Sequence, residues 1–128
     1  MRAIDTNVLV RYLTGDDPEQ SARARAAIDG REVFVATTVF LEGEWVLRGV
    51  YGFSRKDVCR AFRAFAGLPG VSVENPPMLA GALDQAEAGM DFADALHLGA
   101  VGHCEVMLTF DRKFIKAGAK GLLKVEEP

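Results

Sequence analysis

At 128 residues against roughly 150 per domain, the chain has room for one globular domain, residues 1–128. Its 49% hydrophobic and 26% charged residues, with 13 Gly and 5 Pro, match ordinary folded proteins and exclude a disordered or fibrous chain. A net charge of −3 argues against a general nucleic-acid coat, and no apolar run approaches the ~18 residues of a membrane span. Cys59 and Cys104 lack a C-x-x-C spacing and no signal-peptide layout precedes the first apolar segment, so the expectation is reduced thiols in a cytoplasmic protein.

In chain order, Ala3-Ile4 predicts a short strand ending at Asp5, and Thr6 to Leu13 carries Val8, Leu9, Tyr12 and Leu13 at helical spacing. The turn Gly15-Asp16-Asp17-Pro18 opens a second helix, Pro18 to Ile28. Glu32 to Val35 reads as a strand, Thr37 or Thr38 can cap, and Val39 to Tyr51 is helical. Ser54 caps a helix to Ala66, and Val71 to Glu74 is the third strand. Helices follow from Pro76 to about Ala88 and from Ala93 to His103. Val106 to Phe110 is a strand, a short helix follows Asp111, and Leu122 to Val125 is a weak last strand. Strands separated by helical stretches imply crossover connections and a mostly parallel sheet with helices on both faces, an α/β fold. In such sheets the functional crevice lies beyond the carboxyl ends of the strands.

The acids are informative where a solvated surface does not explain them. Asp5 and Asp111 each follow a strand and precede a helix, so each suits an N-cap, yet both fall at the sheet's carboxyl edge. At about 100° per residue, a buried stripe through Val39, Val46 and Val50 puts Glu42 at its border and Glu44 on a wet face, paired with Arg48 at i,i+4. Asp94 shares a face with Leu98 and Val101 and looks inward, whereas Asp91 precedes the helix as a cap. His97 and His103 read as structural. Asp5, Glu42, Asp94 and Asp111 are thus the candidates for chemistry. Sharing one pocket, each ionised pair about 4 Å apart would cost roughly 4 kcal/mol at an effective dielectric of 20, which calls for a neutralising cation. An all-oxygen donor set suits Mg2+ or Mn2+ and fits phosphodiester hydrolysis. Setting the four acids aside leaves 15 basic against 14 acidic residues, or +1, which does not repel RNA. Candidate phosphate contacts are Arg112, Lys113 and Arg11, with Arg48, Lys116 and Lys120 further out.

Four motifs in order carry a family resemblance: Ala3-Ile4-Asp5-Thr6-Asn7-Val8-Leu9, Thr38-Val39-Phe40-Leu41-Glu42 leading to Trp45-Val46-Leu47-Arg48, Asp91-Phe92-Ala93-Asp94-Ala95-Leu96-His97, and Leu108-Thr109-Phe110-Asp111. With them the chain resembles the PIN-domain nucleases, and within these the VapC-like toxins of toxin–antitoxin pairs. The resemblance implies a three-layer α/β/α sandwich with a central mostly parallel sheet and Mg2+- or Mn2+-dependent endonucleolytic cleavage of RNA. It maps the family's acidic quartet onto Asp5, Glu42, Asp94 and Asp111, with Glu44 close to the second acid. Thr6, Asn7 and Thr109 resemble the polar residues that support the ions. A homodimer is implied, as is an antitoxin that wraps the toxin and places a basic side chain at the acids. The alternatives are a catalytically silent RNA-binding or interaction module on the same fold, a DNA-directed nuclease, and a receiver-type phosphoacceptor, which would want adjacent acids after the first strand where only Asp5 stands.

Overall fold

The computed structural model describes residues 1–128, which divide into two compact units, residues 1–76 and 77–128. The first contains β1 (Arg2–Ala3), α1 (Thr6–Thr14), α2 (Pro18–Ile28), β2 (Val33–Val35), α3 (Thr37–Gly49), α4 (Arg55–Ala66) and β3 (Val71–Val73). Its strands run parallel in the order β1-β2-β3, with Arg2 opposite Val33 and Val33 opposite Val71. Two helices separate each pair of neighbouring strands, as parallel pairing requires of its connections. Gly70 lets the chain turn into β3: a Cβ there would lie 1.9 Å from the carbonyl oxygen of Arg31, while the Gly70 carbonyl accepts from the Val33 N–H at 2.9 Å.

The core of this unit is built from Leu9, Val10, Ile28, Val33, Val35, Phe40, Leu47, Val58, Phe62 and Phe65. Phe40 meets Phe62 edge-on with ring centroids 5.1 Å apart, and Tyr12 meets Phe65 at 5.4 Å. This packing corrects the expected facing of α3. Phe40, Gly43, Glu44 and Leu47 are buried, whereas Val50 is exposed and Glu42 faces solvent. A Cβ on Gly43 would stand 3.4 Å from Leu9 and 3.6 Å from Phe62, so the glycine marks the face of closest approach. The Glu44–Arg48 pair forms as expected, but Glu44 is only 5% exposed and the face is not wet. Neither Thr37 nor Thr38 caps α3; the N-cap is Ala36, and the Glu74 carboxylate accepts the Thr37 N–H at 2.9 Å. A charge at the end of β3 thus supplies the acceptor that the local sequence lacks.

The second unit contains α5 (Pro76–Glu87) apart from its first residue, α6 (Phe92–Ala100), β4 (Val106–Leu108), α7 (Arg112–Gly118) and β5 (Lys124–Glu126). Here β4 and β5 pair in parallel, Val106 opposite Lys124, so all strand pairing in the chain is parallel and the α/β class stands. The helix expected to reach His103 ends at Ala100, because the Val101 N–H turns back to the Leu98 carbonyl at 3.2 Å and Gly102 follows. The last strand starts two residues later than expected, leaving Leu122 fully exposed. Leu79, Leu83, Met90, Phe92, Leu96, Phe114 and Val125 are buried. A Cβ on Gly118 would lie 2.6 Å from Val125 Cγ2, and a β-branched side chain cannot swing aside. Gly118→Ala is therefore expected to destabilise by about 1–3 kcal/mol despite the better helix propensity of Ala. A urea melt checks this, and a midpoint equal to wild type refutes it. No helix is long and apolar enough to cross a membrane, and both cysteines are free thiols, Cys59 buried and Cys104 exposed.

Candidate active site

In the first unit the chain leaves β1 at Asp5, whose extended backbone and carboxylate cap α1 by accepting the Val8 N–H at 3.1 Å. The next residue, buried Thr6, donates its hydroxyl to the Glu42 carboxylate on α3. Thr6 therefore ties the acid of α3 to the first turn of α1, immediately beside Asp5. Glu42 keeps its accessibility while being held in place, and Glu44 is turned inward to Arg48. Asn7 is exposed and lines, with Arg11, Gln20 and Arg23, a cleft of about 340 Å³ on α1 and α2. Arg11 is committed within this unit: Nη1 donates to Asp16 at 2.9 Å and to the Tyr51 hydroxyl at 2.8 Å, and Nε donates to Gln20 at 2.7 Å. Burial works against its charge, but Asp16 and Tyr51 outweigh that and hold the guanidinium above its ordinary pKa.

In the second unit the acids are placed by helix starts. Asp91 caps α6 by accepting the Asp94 N–H at 3.3 Å, as expected, which leaves the Asp94 carboxylate one turn in and half-buried. Asp111 caps α7, accepting the N–H groups of Lys113 at 2.9 Å and Phe114 at 3.3 Å. Thr109 orients it by accepting the Asp111 N–H on its hydroxyl at 3.0 Å. Asp94 has its pKa raised by burial first, then by the charges of Asp91 and Asp111, with His97 opposing. The acids after β4 and at the start of α6 are thus close enough to repel. His97 and His103 are exposed, Arg112 and Lys113 beside Asp111 are solvated, and Phe110 stands 79% exposed. Phe110 is missing from the sequence-based candidates; an aromatic directly before a strand-end acid is the signal for it.

Asp5, Glu42, Asp94 and Asp111 make no ion pair with any Lys or Arg, unlike Asp16, which pairs with Arg11, and Glu44, which pairs with Arg48. Within neither unit are three or more His, Cys, Asp or Glu side chains gathered round an ion position. The family model of the PIN domain matches residues 3–120 of the chain. The chain belongs to the PIN-domain family. One match thus runs through both units of this PIN domain and includes Asp5, Glu42, Asp94 and Asp111. PIN domains are generally nucleases that typically use divalent metals, which makes a nuclease-type hydrolase the ground reading of this one. No curated protein matches the chain.

The raised pKa of Asp94 has a thermodynamic consequence. A group whose folded pKa lies above its unfolded value penalises the folded state once ionised: the penalty is absent below the unfolded carboxylate pKa, about 3.9, and develops as pH rises through the folded one. In EDTA at pH 7, Asp94→Asn is expected to raise stability by a few tenths of a kcal/mol, discounted for solvent screening, or about 1–3 °C in Tm. At pH 3 the variant and wild type should melt together. A Tm difference of the opposite sign at pH 7 contradicts the crowding of Asp94 by its neighbours.

Proposed function

We propose that this PIN domain is a metal-dependent endoribonuclease and the toxin of a toxin–antitoxin pair. The observation that carries the reading is Asp94, whose charge is opposed by burial and by Asp91 and Asp111, with only His97 acting the other way and no Lys or Arg paired with it. Such carboxylates are suited to a hard cation, and their all-oxygen chemistry fits Mg2+ or Mn2+. Asp5, Glu42, Asp94 and Asp111 would hold the metal, which when bound supplies charge neutralisation at the scissile phosphate and a lowered pKa for its water. The chain's own contribution is positional. Thr6 holds the Glu42 carboxylate, Thr109 holds the backbone of Asp111, and Asp91 fixes the first turn that presents Asp94. Arg112 and Lys113 follow Asp111 with their charges unpaired and are placed to meet substrate phosphates.

An antitoxin and a homodimer belong to the same proposal. Supporting a protein partner, Trp45 is 66% exposed one turn beyond Glu42 on α3, and Trp is among the residue types that anchor interfaces. A location in the cytoplasm is proposed with them. The test is incubation of total RNA with the purified chain in Mg2+, in Mn2+ and in EDTA, with single-stranded DNA in parallel. Discrete RNA fragments that disappear in EDTA support the proposal. Intact RNA with a folded, antitoxin-free protein overturns it in favour of a silent binding module, and cleavage confined to DNA overturns the choice of substrate.

A further inference from the structure

Charge in the second unit is segregated along the chain. Residues 77–111 hold six acids, Asp84, Glu87, Asp91, Asp94, Glu105 and Asp111, and no Lys or Arg. All five basic residues of the unit, Arg112, Lys113, Lys116, Lys120 and Lys124, then fall within residues 112–124, which contain no acid. Lys113 and Lys116 are one turn apart on α7 and Lys120 lies just past its end, so they follow one side of the helix. Together with Gln85, Gly89 and Met90 they line a cleft of about 590 Å³. The three lysines are exposed and none is ion-paired.

At the other end of this basic run stands the exposed ring of Phe110. The turn carrying it is ordered from both sides: the Thr109 N–H donates to the Glu126 carbonyl at 3.0 Å, and the Asp111 N–H donates to Thr109 Oγ1 at 3.0 Å. A large ring held in water on a rigid turn loses little conformational freedom when a flat partner stacks on it. Lys113 follows Phe110 by three chain positions, a span of at most about 11 Å. Protein interfaces are depleted in Lys, whereas single-stranded nucleic acid is bound by a basic track beside an aromatic platform.

We infer that Phe110 and the Lys113–Lys116–Lys120 face of α7 form a single-stranded RNA-binding surface, in which the ring stacks an unpaired base and the lysines follow the adjoining phosphates. This rests on the nucleic-acid reading above and adds where the strand lies beyond the acids and why an unpaired loop is preferred, since a base within a duplex cannot be splayed onto a ring.

The test is fluorescence anisotropy of a labelled, unstructured RNA of about 12 nucleotides, within the range of known single-strand sites, titrated with the full chain in EDTA across a salt series. Phe110→Ala is expected to weaken binding about tenfold at every salt concentration without changing the salt slope, and Phe110→Tyr to restore it. The combined Lys113→Gln, Lys116→Gln and Lys120→Gln variant should flatten the slope of log affinity against log salt by about 2, from roughly 0.7 per phosphate contact. All four positions are exposed, and circular dichroism verifies that each variant is folded. Wild-type affinity and slope in both the Phe110→Ala and the lysine variants overturn the inference, as does an equal effect of Phe110→Ala on a duplex of the same sequence. Cleavage in Mg2+ separates the two claims. Wild-type cleavage and KM in both variants remove the binding surface and leave the nuclease, whereas the expected binding pattern without cleavage in any metal removes the nuclease and leaves the surface.

Discussion

Asp94→Asn is expected to lower RNA cleavage at least about 100-fold, the loss typical when one group that stabilises transition-state charge is removed. The substitution is nearly isosteric, and the Asp94 side chain caps nothing: it is the backbone N–H of Asp94 that donates to Asp91. The fold therefore loses no hydrogen bond from that carboxylate, while the site loses a full negative charge. Asp5→Asn makes a matching experiment for a different reason. Asn caps helices as well as Asp does, so the Val8 N–H keeps its acceptor and α1 keeps its start. A large loss of cleavage in Asp5→Asn with an unchanged Tm separates chemistry from capping, the two roles that Asp5 can play. Asp91→Asn serves as the contrast, since it also keeps its cap, and it is expected to lose about tenfold, the low end of the range for groups that only orient a ligand. Variants at Asp5 and Asp94 that are folded and cleave like wild type would dismantle the assignment of the metal-holding acids.

Arg48→Met is expected to cost about 3 kcal/mol of stability. Glu44 has a side chain only 6% exposed, and Arg48 faces it with both Nε and Nη2, the latter 3.4 Å from Oε1. Removing the cation leaves a buried carboxylate without its partner, a change that costs roughly 3–5 kcal/mol in fully buried pairs. The lower end applies because the Arg48 side chain is 30% exposed and water can reach the gap. Against a total stability of about 5–15 kcal/mol this is a large fraction. The double variant Glu44→Gln with Arg48→Met removes both charges and should recover most of the loss, which identifies the cause as an orphaned charge rather than lost packing. Neither variant touches Asp5, Thr6 or Glu42, so cleavage per folded molecule is expected to stay near wild type. An Arg48→Met chain within about 1 kcal/mol of wild type by urea melt would show that solvent supports Glu44 unaided.

What the amino-acid sequence determined by itself is the local part. Asp5, Ser54, Asp91 and Asp111 stand directly before helical segments, and each caps one with its side chain, as does Asp17 before Pro18. These interactions close within three residues, so nothing distant in the chain can override them. The alternation of strands and helices dictates parallel pairing for the same reason: strands joined by helices have no short return. Tertiary structure decided the facing of α3. Val39, Phe40, Leu41, Trp45, Val46, Leu47 and Val50 surround that helix with apolar side chains, so periodicity alone does not select a face. The choice fell to Gly43, where Leu9 and Phe62 approach closely, and to Phe40 packing edge-on against Phe62. That rotation buried Glu44 against Arg48 and left Glu42 accessible but tied to Thr6. The remaining decisions also span the chain: Glu74 caps α3 from 37 residues away, and Tyr51 meets Arg11 across 40. Caps depend on neighbours in sequence, whereas the face a helix buries depends on the shapes of residues brought to it by folding, and those shapes are not local information.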